Sequence, residues 1–377
     1  MKIRTGKAYS NGIELPSGVI EVENGKFKGF TSSGEADVDL SAYTVFPGFI
    51  DMHTHGGCGI EAVSASFEEL DEMSRFYAQS GACEFCATTV TESIEHLVAA
   101  EQRIVKRMKA GTSGASIAGI YLEGPFLSHD FRGAHEETLL KSPTKEDMDK
   151  LIEAGEGNLR VIAIAPEIEG ALSAIKYFNE KGVVVSLGHS GATYAEAAAG
   201  FAAGGSVAVH TYNAMRGITH HEPGFLGASL IADEAYGEII CDFLHVAPET
   251  VKIALRCKGR DKIVFITDSI VTTGLPDGEY LSGALPVTVK DGVARAHNGA
   301  LAGSSLRINR ALGNVVEKLS VPVCDAMLGV TKNPAEALGM YDEIGSIDVG
   351  KRAHLTVLDE KFNVVMTIVD GNVVYRA

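Results

Sequence analysis

Phe49-Ile50-Asp51-Met52-His53-Thr54-His55 is an apolar run that ends on two histidines. In an extended strand, residues i and i+2 project from the same side, so both rings can grip one ion. With twelve histidines in the chain, an isolated HxH is a common accident. Repetition lifts this one above accident. Val183-Val184-Val185-Ser186-Leu187-Gly188-His189, Ser206-Val207-Ala208-Val209-His210 and Ile263-Val264-Phe265-Ile266-Thr267-Asp268 share its grammar, a buried strand tipped by a side chain that binds metal. Two further apolar runs close on Glu123 and His245. Strand ends of one barrel converge on one mouth, so these tips predict a shared site. A common cation satisfies such groups together, where each alone would be costly to bury.

Outward from these tips, β-rich apolar runs are centred near Ile50, Cys86, Ile120, Ile164, Val185, Val207, Ile240 and Phe265, separated by segments of helical period. Strands alternating with helices at this count predict an α/β protein, a (β/α)8 TIM-type barrel. Ser142-Pro143 reads as an N-cap and first-turn proline for a helix over Asp147 to Ala154, stopped by Gly155. Thr193-Tyr194-Ala195-Glu196 has capping-box spacing, and Gly204-Gly205 ends that helix. The chain ends differ. Asn24-Gly25 joins Ile20-Glu21-Val22-Glu23 to Lys26-Phe27-Lys28, and Asp370-Gly371 joins Val364–Val369 to Asn372–Tyr375, both strong hairpin signals. The reading is a small β-sandwich domain built from both termini, residues 1–45 and 345–377, around a catalytic barrel over 46–344.

A chain of 377 residues, 45% hydrophobic and 22% charged, can bury one large core and a satellite. Its formal net charge of −16 argues against a nucleic-acid partner. No apolar run is long enough to span a bilayer and the N-terminus lacks a signal sequence, so the expected location is the cytoplasm, with no membrane partner. Six scattered cysteines are too few for a disulfide scaffold, and Cys83-Glu84-Phe85-Cys86, a CxxC without a second pair inside a strand-like run, reads as core.

His53, His55, Glu123, His189, His210 and Asp268 offer nitrogen and oxygen donors for two borderline divalent ions, with Glu123 bridging and no thiolate required. Paired ions suit hydrolysis, because they acidify a water and polarise the bond under attack. Asp268 is then the proton shuttle, a base toward the water and an acid toward the leaving group. Other chemistries fail on spacing. Gly188-His189-Ser190-Gly191-Ala192 puts alanine where a GxSxG elbow needs glycine. Gly56-Gly57-Cys58-Gly59 lacks the GxGxxG spacing, and no GxxxxGK[ST] is present.

Pro47-Gly48-Phe49-Ile50-Asp51-Met52-His53-Thr54-His55-Gly56-Gly57, Leu122-Glu123-Gly124-Pro125-Phe126, Gly188-His189-Ser190, His210-Thr211-Tyr212-Asn213-Ala214-Met215 and Leu301-Ala302-Gly303-Ser304 resemble the signatures of the amidohydrolase superfamily, and within it of the N-acetylglucosamine-6-phosphate deacetylases. The Asp348-to-His354 stretch is also typical of amidohydrolases. The resemblance implies Glu123, His189 and His210 as the principal metal site, His53 and His55 as a second, and Asp268 as the catalytic acid/base. It implies that His135 polarises the acetyl carbonyl and that backbone amides at Asn213 and Ala214 meet the sugar phosphate. His245 would contact the substrate's hydroxyl or carbonyl region. Relatives often carry an arginine, at the position of His221, that reaches the phosphate of the neighbouring subunit; histidine holds phosphate less firmly, and Arg216 is a candidate to compensate. The implied enzyme takes a small amino-sugar phosphate, uses zinc or alternatively iron at one or two ions per subunit, and forms a homodimer. Alternatives are another N-acetylated amino sugar (the galactosamine epimer or an unphosphorylated sugar), an N-acyl amino acid or cyclic amide, and a non-catalytic sugar or metal sensor, against which Asp268 argues. His96, His129, His297 and His354 fall outside the strand-tip pattern and receive no role.

Overall fold

The computed structural model describes residues 1–283, 285–296, 299 and 301–377. Eight strands pair in parallel and in chain order: Phe49–Thr54, Ala82–Thr89, Ser116–Leu122, Leu159–Ile164, Val184–Leu187, Gly205–Ala208, Tyr236–Ile240 and Ile263–Ile266. Each run anticipated from the sequence is one of these strands. The second is buried along its whole length, which is why these strands read as continuous apolar runs rather than alternating ones. A helix follows every strand, from Phe67–Ala78 after the first to Ile308–Leu319 after the eighth.

The ring closes between the first and eighth strands. The Asp268 amide donates to the His53 carbonyl at 3.0 Å, and the His55 amide to Ser269 at 2.8 Å. The buried carboxylate of Asp51 accepts from the Thr267 amide at 3.2 Å and its hydroxyl at 2.6 Å. A side chain thus supplies bonds that a regular ladder would otherwise make. The same contacts fix the chain on either side of Asp268 and the HxH pair.

Both termini join one eight-stranded sheet, in which Lys2–Ser10 runs parallel to Val38–Pro47 and Val38–Pro47 pairs antiparallel with Leu355–Leu358. Its core includes Ile3, Ile20, Phe27, Leu40, Val45, Leu355, Val357 and Ile368. The two expected hairpins are there. Asn24 and Gly25 have φ of 52° and 75°, and Asp370 and Gly371 48° and 73°, the left-handed pairs a two-residue turn demands. His354, with Nε2 3.0 Å from buried Glu84 of the second barrel strand, ties this sheet to the barrel. His297 lies outside the described residues.

Thr193 and Glu196 form the expected capping box. The preceding helix differs: it runs Lys145–Ala154 and its cap is Thr144, whose hydroxyl accepts from the Asp147 amide, not Ser142. Pro143 holds Ser142 extended and lies before the helix, leaving Thr144 to meet the first turn. Between the eighth strand and its helix the chain forms a three-stranded meander not anticipated from the sequence, Gly278–Ser282, Leu285–Lys290 and Val293–Ala296. It has a small core of its own around Val287, Val289 and Ala294, and Glu61 receives the Ser282 hydroxyl at 2.6 Å and the Gly283 amide at 2.9 Å. Cys83 and Cys86 are buried free thiols.

Glu101, on helix Ile94–Ala110, is fully buried and neither carboxyl oxygen has a hydrogen-bond partner. Burial pushes its carboxyl up from an ordinary 4.5 to about 9. The folded chain therefore keeps a proton that the unfolded chain releases, and stability contributed by this group is lost as pH rises from about 4.5 to about 9. Glu101→Met is expected to raise the thermal midpoint by a few degrees at pH 8 and by less at pH 5. Equal shifts at the two pH values in scanning calorimetry would contradict a neutral buried acid.

Candidate metal centre

Three strand tips leave the sheet in an unusual backbone conformation. His189, His210 and Asp268 have φ of 45°, 23° and 50°. The left-handed turn swings each side chain over the mouth instead of letting it follow the strand's alternation. Neighbouring backbone holds the turns: the Ser128 amide donates to the His189 carbonyl at 3.0 Å, and the Asp268 carbonyl accepts from Ser304 at 2.9 Å. Gly303, at φ 59°, is required beside this last contact, because a Cβ there would lie 2.3 Å from Ile270.

Glu123 stands at the centre. Two triplets of buried donors share it, His53/His55/Glu123 and Glu123/His189/His210, each with its ligand atoms within 4.8 Å of one another. One carboxylate oxygen lies 3.2 Å from Nε2 of His189 and 3.0 Å from Nε2 of His210; the other lies 3.0 Å from Nε2 of His55. Asp268 comes within 3.2 Å of His55 Nε2.

Proton positions, assigned from hydrogen-bond partners, decide what this cluster can hold. Burial takes His189 down to about 4, so the ring is neutral at pH 7. Its single proton is on Nδ1, which lies 3.0 Å from the Phe131 carbonyl and must donate to it. Nε2 is then a bare lone pair facing a carboxylate, and it sits 2.9 Å from Nε2 of His210. Burial opposes charge on His210 but its hydrogen bond with Glu123 raises it, so a proton on its Nε2 or a cation lies between these atoms. The donor set, imidazole nitrogens and carboxylate oxygens without thiolate, fits a borderline divalent ion.

The His53/His55 half meets the same demand with protons. Burial disfavours charge on both rings, but Glu238 and Glu123 raise His53 well above the ordinary imidazole value, and hydrogen bonds with Asp268 and Glu123 raise His55 to about 9. Burial likewise opposes charge on the acids. The charge of His53 nevertheless holds Glu123 well below the carboxylate range, and the hydrogen bond from His55 holds Asp268 at about 2. Both carboxylates are ionised at neutral pH, as a cation site requires.

His135 reaches the same cluster from a loop, with Nε2 3.3 Å from Glu123 and its ring edge-on to His189 at 4.6 Å. Its Nδ1 accepts from the Thr91 amide at 3.2 Å, so the neutral ring presents Nε2–H as a donor. The other anticipated residues lie in loops. The Asn213 amide donates to the His210 carbonyl at 2.9 Å and is committed inside a turn, while Ala214 sits at φ 47°. His245 is held by Asp242 of its own loop at 2.7 Å. His221 is exposed, its ring 3.9 Å from that of His220. One residue the sequence reading missed is Glu238, whose carboxylate lies 2.9 Å from Nδ1 of His53. A lone acid in the apolar run Tyr236-Gly237-Glu238-Ile239-Ile240 was a signal that could have found it.

A model of the amidohydrolase family matches residues 44–374. The chain is 38% identical to an N-acetylglucosamine-6-phosphate deacetylase of Vibrio furnissii, over 94% of this chain and 90% of that one. It is also 38% identical to an N-acetylgalactosamine-6-phosphate deacetylase of Escherichia coli O157:H7, over 89% and 88%. Among solved structures, the N-acetyl-D-glucosamine-6-phosphate deacetylase of Mycobacterium smegmatis, described in complex with N-acetyl-D-glucosamine-6-phosphate, superposes with a TM-score of 0.95 at 32% identity over 99% of both chains. Agreement at this level, along nearly the whole chain and around a cluster of strand-tip histidines and acids, has one consequence: the chain belongs to the amidohydrolase family.

Proposed function

We propose that this chain is a metal-dependent deacetylase that hydrolyses the N-acetyl amide of N-acetylglucosamine 6-phosphate, giving glucosamine 6-phosphate and acetate. The observation that carries the reading is the convergence of imidazole lone pairs and ionised carboxylates on Glu123, beside Asp268 and the His135 donor. The names of relatives 38% identical over most of the chain support the substrate class. Residues 46–344 would form the catalytic unit, with residues 1–45 and 345–377 as its companion domain. A divalent ion, zinc by preference and iron as the alternative, would be held by His53, His55, Glu123, His189 and His210 at one or two per subunit and would supply Lewis acidity toward a water and the acetyl carbonyl.

The chain's own groups do the rest. Asp268, ionised at neutral pH, takes a proton from the attacking water and returns it to the amine nitrogen as the C–N bond breaks. His135 donates Nε2–H to the carbonyl oxygen as negative charge grows there. The Ala214 amide, beside the turn that occupies Asn213, is the proposed first contact of the phosphate, with His245 and His221 on the sugar and phosphate sides. A homodimer is supported by exposed Ile218, Ile231, Leu244 and Ile253 on the sixth and seventh helices and their loops. A cytoplasmic location is supported by six free cysteines.

A second reading, the galactosamine epimer as substrate, is favoured by the equal identity to the E. coli enzyme. Acetate release from both 6-phosphates and from the unphosphorylated sugars separates the readings. The expected order of kcat/KM is the glucosamine derivative first and the unphosphorylated sugars last; release from none of them would sink the proposal.

Two variants test the roles. Asp268→Asn is expected to lose about 100- to 10,000-fold in kcat, with the metal retained by elemental analysis. His135→Ala, which removes one donor to the carbonyl oxygen, should lower kcat by about 100- to 1,000-fold while KM changes little. A variant with near-normal kcat strikes that residue from the mechanism.

A further inference from the structure

Glu238 lies in the middle of the seventh strand, wholly buried and flanked in the chain by Gly237 and Ile239. An ionisable group there is expensive unless the site uses it. One of its oxygens, Oε2, accepts two hydrogen bonds: from Nδ1 of His53 at 2.9 Å and from the backbone amide of His210 at 3.1 Å. The other, Oε1, has no hydrogen-bond partner. A single carboxylate oxygen thus touches both halves of the cluster, the ring of one strand-tip histidine and the backbone of another.

The two histidines of the HxH pair are supported unequally. His53 has its Nδ1 fixed by Glu238, whereas Nδ1 of His55 has no partner. A neutral imidazole held at Nδ1–H by a carboxylate has its lone pair on Nε2, and His53 Nε2 lies 3.3 Å from that of His55 and 3.5 Å from Glu123. The Tyr121 ring, 4.6 Å from that of His53, packs against it. In the other triplet the corresponding work falls to the Phe131 carbonyl, which holds Nδ1 of His189.

We propose that Glu238 is the positioning residue for the ion between His53 and His55: it fixes the tautomer and orientation of His53, and so sets how tightly that second ion is held, while the ion at Glu123/His189/His210 feels it only through the His210 backbone, a bond that a glutamine oxygen can still accept. The proposal rests on the reading that the cluster holds two ions. It extends that reading to a residue that touches neither substrate nor ion. Glu238→Gln keeps the shape but replaces a charged acceptor with an amide able to donate, which permits the wrong His53 tautomer.

The test is titration of the metal-free chain with Zn(II) in competition with a chromophoric chelator, and with Co(II) followed by visible absorption. The wild type should take two equivalents. In Glu238→Gln the second equivalent is expected to weaken by about 10- to 100-fold and its Co(II) band to disappear at stoichiometric addition, with the first equivalent changed by less than about threefold. His55→Ala marks which equivalent belongs to the HxH pair. Glu238→Asp, which retains the charge on a shorter arm, should recover part of the loss; it also supplies the readout if the glutamine variant fails to fold. Wild-type affinity for both ions in the glutamine variant, equal weakening of both, or a wild type that takes only one ion would each overturn the proposal. The deacetylase reading stands apart from these outcomes, because it falls only if the metal-loaded wild type releases no acetate.

Discussion

An imidazole lone pair cannot rest 2.9 Å from a second imidazole nitrogen and beside a carboxylate unless a proton or a cation lies among them. That constraint, at His189, His210 and Glu123, organises the mouth of the barrel. Protons meet it in one half of the cluster, where His53 and His55 are raised above the ordinary imidazole range by the acids around them. In the other half His189 is neutral, with its proton committed to Phe131, so a proton on His210 or an ion must meet it. Ion binding at His53 and His55 therefore exchanges protons for metal, whereas at His189 the lone pair is already free to coordinate.

What was legible in the sequence follows from the same energetics. A polar residue at the end of an apolar run is visible because burial makes it costly, and Glu123, His189, His210 and Asp268 all stand at such ends. The parallel strands are visible because helices cover one face and neighbouring strands the other, leaving uninterrupted runs. Turns that need two left-handed residues announce themselves as Asn24-Gly25 and Asp370-Gly371. These signals are local, and each is carried by residues adjacent in the chain.

The rest depends on contacts between distant segments. The orientation of His135 is set by the Thr91 amide, 44 positions away, and nothing in its loop has a period to read. Glu238 supports His53 across 185 positions, and it sits inside its strand rather than at the tip, where the grammar of endings does not look. The meander was hidden differently: alternating Val287, Val289 and Val293 around Asp291-Gly292 is a fair hairpin signal, but the repeating barrel pattern absorbed it into a connection. The missed cap at Thr144 shows a competition of local rules, in which the extended geometry imposed before Pro143 prevailed over its use as a first-turn residue.

The left-handed tips connect fold to chemistry. Each non-glycine residue held at positive φ costs about 1 to 3 kcal/mol, and glycine would relieve it, but glycine carries no donor. His189, His210 and Asp268 are therefore places where the barrel tolerates strain for the sake of a side chain. The tolerance comes from backbone bonds that over-determine each turn: Asp268 is fixed on one side by His53 and on the other by Ser304, His210 by Glu238, and His189 by Ser128. Since those bonds form on folding, the entropy of ordering the donors is already spent before any ion or substrate arrives. What remains for binding is desolvation and charge, which Glu123 and Asp268 supply with their carboxylates ionised. A site built this way gains affinity from the stability of the barrel, and weakening the strand 1 to strand 8 closure around Asp51 would loosen Asp268 and the HxH pair together.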